Sequence, residues 1–166
     1  MWRVLVGTLL LLNVSSGVWA QEVERSYDRF GDSSSASVKF ELPAPEGLRL
    51  LNIEVSAHWK GPEAPSDPLV VFRALWAEKG RQYLSIPRTP MQCIIDGERQ
   101  EFRHIHSEPS TGAGAVFYRL GLDGVRLLAE AENAECRAGA VEFAIDANGL
   151  ESIQRLHRVL SEGGPQ

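Results

Sequence analysis

Two histidines one residue apart, His104 and His106 in the stretch EFRHIHSEP, come nearest in this chain to a chemical motif. On a regular strand, side chains two residues apart leave the same face at a spacing of about 6.6 Å, so two imidazoles can converge on one ion. Zinc needs at least one further protein ligand for a catalytic site and two for a closed structural one. His58, on the polar side of an earlier strand-like run, is the expected third ligand, and Glu108 is a further candidate if the strand continues. The competing reading is a pair of imidazoles at a sheet margin, hydrogen-bonded or solvated, on a face that Phe102 shares and packs. His157 sits near the apolar stripe of the last helical segment and reads as a satisfied, partly buried histidine.

Other chemistry is sparse. There is no Gly-x-Ser-x-Gly elbow for a nucleophilic serine, and no His-Glu-x-x-His for a metalloprotease helix. Gly112-Ala113-Gly114 has neither the lysine nor the strand–helix setting of a phosphate loop, and flexibility explains it better. The only cysteines are Cys93 and Cys136. In an oxidising compartment an even count invites a disulfide, although two buried thiols that never meet remain the alternative. Apart from zinc or a similar divalent ion at the histidines, these residues imply no cofactor.

The compartment is suggested by the first twenty residues. Met1-Trp2-Arg3 is a short positive start, VLVGTLLLLNV an apolar run, and SSGVWA a small-residue region that predicts cleavage between Ala20 and Gln21. This is the pattern of a secretory signal peptide, with an apolar run too short to span a bilayer comfortably. The expected location is therefore periplasmic or extracellular, with no membrane anchor after cleavage. The chain has 17 basic residues, Arg3 among them, against 22 acidic ones, for a formal charge of -5. With no basic cluster in the linear sequence, this balance argues against nucleic acid and anionic membranes as partners.

The elements that must carry these side chains follow from periodicity. Leu51, Ile53, Val55, Ala57 and Trp59 alternate with Asn52, Glu54, Ser56, His58 and Lys60, which marks a half-buried strand. Val38, Phe40 and Leu42 alternate before Pro43. In 69–77, Asp67-Pro68 and Gly80 could frame a helix, but Val70, Phe72, Ala74 and Trp76 alternate and favour a strand. Trp59 and Trp76 are expected to fill core, an exposed aromatic platform being the alternative. Asp96-Gly97 between two strand-like runs predicts a type I′ hairpin turn, and residues 107–115 read as a loop. Val116, Tyr118 and Leu120 resume a strand. Asp123 is placed to cap a short helix carrying Val125, Leu127, Leu128 and Ala131. A hairpin turning near Ala138-Gly139 follows, with Val141, Phe143 and Ile145 alternating. Asn148, with Glu151 three residues on, suggests a capping box for a helix with Leu150, Ile153, Leu156 and Leu160 on one face.

The sequence thus implies an α+β fold: an antiparallel sheet of about five to seven strands with two C-terminal helices packed on it. A signal peptide (1–20) and a polar, loosely ordered leader (21–37) would precede a single domain (38–162). The segment LLAEAENAECRAGAVEFAIDANGLESIQRL, with Asp96-Gly97 upstream, resembles the closing part of some uncharacterised exported bacterial proteins. That resemblance implies the fold and no known activity.

Three functions fit these observations. The first is a non-catalytic binding or accessory domain acting on a protein or small ligand. The second is a metal-binding protein or metal-dependent enzyme using His104, His106 and His58. The third is a secreted inhibitor or effector that recognises a protein through loop 107–115. Whether the chain is an enzyme, and its oligomeric state, stay open at this stage.

Overall fold

Alternating apolar residues commit one side of a strand to packing, and among the described residues nine strands, most of them built this way, share a sheet. The computed structural model describes residues 22–46, 48–63, 67–78, 88–110 and 113–162. The proposed signal peptide and the Ala20/Gln21 cleavage point lie outside them. The order along the chain is β1 (Glu24–Asp28), β2 (Ser33–Leu42), β3 (Leu48–Lys60), β4 (Leu69–Glu78), β5 (Met91–Ile95), β6 (Glu98–Ser110) and β7 (Ala113–Arg119). Helix α1 (Gly121–Glu130), the hairpin β8 (Ala134–Ala138) and β9 (Val141–Ile145), and helix α2 (Ala147–Glu162) complete it. In space the strands run β1-β2-β3-β4-β7-β6-β5-β8-β9, and every neighbouring pair is antiparallel.

β6 is the corner of this sheet. Its first half pairs with β5 and its second half with β7, with a bulge between His104 and His106. A bulge adds one unpaired residue and bends and twists its strand. The β5-β8-β9 end therefore returns over the inner surface, where Phe143 of β9 stacks on Phe72 of β4 at 6.3 Å. The helices close what remains: α2 lies on β2, α1 on β4, and the two pack together. Inside is one continuous core that includes Val38, Val55, Phe72, Tyr118, Leu128 and Ile153.

The α+β class with two C-terminal helices is as expected, but there are more strands. The leader reading of 21–37 is corrected: β1 occupies Glu24–Asp28 and β2 begins at Ser33. β1 is exposed along its whole length, so no alternation announces it. In β2 the inner row starts at Ser34 and Ala36, whose side chains are too small to stand out as apolar signal. The 107–115 loop is corrected too. Ser107 faces Val116, Glu108 faces Ala115 and Ser110 faces Ala113, so most of that segment is hairpin arm.

Segment 69–78 is a strand, paired to β3 on one side and β7 on the other. At the hairpin turn both Asp96 (φ 48°) and Gly97 (φ 88°) take positive φ, as a type I′ turn requires. The Asp96 carboxylate also accepts hydrogen bonds from the backbone N–H groups of Glu132 and Asn133, tying the turn to the α1–β8 connection.

Both helix starts lie earlier than expected. Leu120 is the N-cap of α1, because β7 runs directly into the helix, and Asp123 falls in the first turn, where it pairs with Arg126 at 3.3 Å. α2 is capped by Asp146, whose Oδ1 accepts from the Gly149 N–H at 2.8 Å while its carbonyl accepts from Leu150. Leu150, Ile153, Leu156 and Leu160 form its buried face, as the spacing predicts.

Candidate functional site

The bulge decides the fate of the two histidines. His104 lies opposite Tyr118 and His106 opposite Phe117, so one extra residue, Ile105, separates them. Tyr118 and Phe117 are consecutive on β7 and point to opposite faces, and their partners do the same. His104 therefore belongs to the inner face, edge-on to Tyr118 at 6.1 Å, and its Nε2 shares a 2.7 Å hydrogen bond with the hydroxyl of Ser107. His106 belongs to the outer face, its ring 6.0 Å from Phe117. The same-face geometry expected of His-x-His is corrected on this ground.

His58 does not join either of them. It sits on β3 opposite Ser35 and Leu69, and β4 and β7 separate β3 from β6, which amounts to roughly 14 Å at the usual strand spacing. Glu108 shares the outer face with His106. His157 is on α2, in contact with the Ser161 hydroxyl at 3.2 Å. Among the described residues no group of three or more histidine, cysteine, aspartate or glutamate side chains is placed to hold a metal ion. The Ser107–His104 spacing suits a nucleophile and its base, but no third side chain among the described residues bonds the imidazole to orient it.

What the outer face does assemble is a cross-strand row of charges ending in aromatic rings. Lys39 of β2 pairs with Glu24 of β1 at 2.9 Å. Beside it Glu54 of β3 receives a hydrogen bond from Arg73 of β4 at 3.1 Å. The Arg73 guanidinium carbon lies 5.4 Å from the centre of the Phe117 ring, within cation–π range, and His106 is on the other side of Phe117. The Glu24 carboxylate raises the Lys39 pKa through their hydrogen bond, with a smaller contribution from Glu54. From β1 to β4 the signs alternate, and each charge has a partner.

The next row breaks this pattern. Arg119 of β7 stands directly opposite Arg103 of β6, both exposed, and neither makes an ion pair among the described residues. Like charges directly opposite on an antiparallel pair destabilise it, by up to about 1 kcal/mol. Arg73 adds a buried Nε–H with no hydrogen-bond partner among the described residues. Arg73, Arg103 and Arg119 thus share this part of the outer face, with Arg73 against the Phe117 ring. Apolar side chains border them: the bulge holds Ile105 47% exposed, and Val71 is half-buried beside Arg119. No linear signal showed this cluster, because residues 73, 103 and 119 come from three strands.

Other surfaces are less distinctive. A groove of about 490 Å³ runs over the outside of β5, β8 and β9 past Ile94 and Arg137. There Arg137 is engaged by Gln92 at 2.6 Å and Glu142 at 3.8 Å. Trp59 is partly buried against the core and donates its indole N–H to the Glu63 carbonyl at the surface. The side chain of Trp76 is outside the described part of the structure. On the inner face, burial raises the Tyr118 pKa to about 12, and its hydroxyl has no hydrogen-bond partner among the described residues.

Cys93 and Cys136 face each other on β5 and β8 and are joined in a disulfide. No helix among the described residues is long and apolar enough to cross a membrane. Compared with known protein families, curated proteins and solved structures, the chain matches none of them.

Proposed function

We propose that this chain is an exported, non-catalytic binding domain whose contact surface is the outer face of β4, β7 and β6. The observation that carries the reading is the Arg103–Arg119 pair. Two exposed arginines stand opposite each other with no ion-pairing acid on either among the described residues, at a cost in stability and beside an exposed isoleucine. Arginine and aromatic residues dominate the energetics of protein contact surfaces, and here both occur together on a broad sheet face. The signal-like leader and the disulfide support export, since disulfides persist in oxidising compartments.

The test is a photo-activatable residue placed in the full chain at Ile105, with a control at Ala144 on the outside of β9, irradiated in the native cell. A discrete adduct formed from position 105 and weakened by Arg103→Gln with Arg119→Gln is the expected result. Adducts from position 144 alone, or adducts from 105 indifferent to both arginines, would move the contact surface elsewhere.

A further inference from the structure

We infer that the partner of this face is a protein surface presenting a carboxylate among apolar side chains, with the carboxylate seated between Arg103 and Arg119. This rests on the binding reading above and adds the chemistry of the partner.

Directly opposed residues on an antiparallel pair have their Cβ atoms about 5 Å apart, so both side chains rise from nearly the same place. Each guanidinium presents a planar fork of N–H donors matched to an oxyanion. One carboxylate between them bonds both and converts a repulsive pair into two attractive ones. Phe117 lies next along β7, flanked by Arg73 and His106, with Ile105 exposed at the bulge. An apolar side chain beside the carboxylate finds cover there.

Two observations select this partner over other sources of negative charge. The chain carries a formal charge of -5, and Glu54, Glu101 and Glu108 occupy the same outer face as the arginines. Glu101 stands two residues from Arg103, about 6.6 Å away and inside the roughly 8 Å over which charge is screened at physiological salt, so a carboxylate gains here by direct bonds to both forks and not from the field of the face. A polyanion or an anionic bilayer would spread its charge across the acidic surroundings as well. Small ligands are held in concave sites that bury most of their surface, and the hollow of about 300 Å³ on this face, beside Lys39, Glu54 and Arg73, has neither Arg103 nor Arg119 in its lining.

The test uses the full disulfide-bonded chain and nitrogen-15 NMR of the arginine Nε–H and backbone amide groups. The probes are a blocked pentapeptide alternating leucine and glutamate, the same peptide with glutamine, inorganic phosphate, and phosphatidylglycerol vesicles. The glutamate peptide is expected to shift Arg103 and Arg119 saturably. The glutamine peptide should bind at least about tenfold more weakly, as should the glutamate peptide to the Arg103→Gln, Arg119→Gln double variant, since a charge-assisted bond contributes about 1.5 kcal/mol or more. Thermal melting of the double variant at wild-type temperature or above shows that the loss is not unfolding.

Equal binding of both peptides, or arginine shifts produced as strongly by phosphate or vesicles, overturns the carboxylate inference and leaves the binding face intact. Silent arginines with every probe also overturn it. If cross-links from position 105 are missing as well, the binding reading falls with it.

Discussion

The two faces of the β6–β7 pair are built from the same two strands, yet they obey opposite rules. On the inner face Phe102, Val116 and Tyr118 are buried and meet the helices and β4. On the outer face Arg103, His106 and Arg119 are exposed, and a like-charge pair stands where an opposite pair would be more stable. The inner face is organised for stability. The outer face gives some up, and on the binding reading proposed above that difference separates a scaffold from a contact surface.

If the comparison is sound, the largest losses of stability come from the inside. Replacing Cys93 and Cys136 with alanine opens a link across 43 residues and is expected to remove about 4 kcal/mol, read from denaturant midpoints. Gly149→Ala comes next. Its new Cβ would lie 2.8 Å from atoms of both Phe40 and Ile145, an overpacking that outweighs the gain in helix propensity and leaves a net loss of about 1 kcal/mol.

Tyr118→Phe sharpens the comparison in the other direction. It deletes a buried hydroxyl that has no partner among the described residues and is expected to stabilise the fold by about 1 kcal/mol in thermal melting. The same residue sets a pH dependence. Its folded pKa of about 12 lies above the unfolded value of 10.0, so the neutral phenol's contribution is complete below pH 10. Above that the native state loses about 1.4 kcal/mol per pH unit until the folded pKa is reached, and Tyr118→Phe should abolish this component of the alkaline decline.

The smallest change expected is on the outside. Arg119→Glu turns the repulsive pair into an attractive one and should raise stability by about 0.5 kcal/mol at low salt, fading as salt is added. A loss of stability in that variant would mean that Arg119 is structural and would break the contrast between the faces.

What could be read from the sequence divides along the same line. β3 and β4 were legible because burial on one side enforces alternation, and the 96–97 turn because positive φ demands particular residues. The buried face of α2 was legible from its spacing. β1 was not, since a strand exposed on both sides carries no rhythm. The helix caps were misplaced by two or three residues, because where a helix starts depends on where the preceding strand stops. The parity of the histidines depended on a bulge fixed by pairing with β7, and the arginine cluster on strand order. Neither register nor order is written in local periodicity.

Ile105 leaves a further consequence. Because it has no partner opposite, the pairings on either side of it would still meet if it were deleted, and every neighbour would keep the face it now has. Its removal would straighten the corner and take one exposed apolar side chain from the surface, while Arg103, His106 and Arg119 kept their places. Shape and charge pattern are therefore separable at that codon: deletion would remove the bend while the arginine pair kept its register.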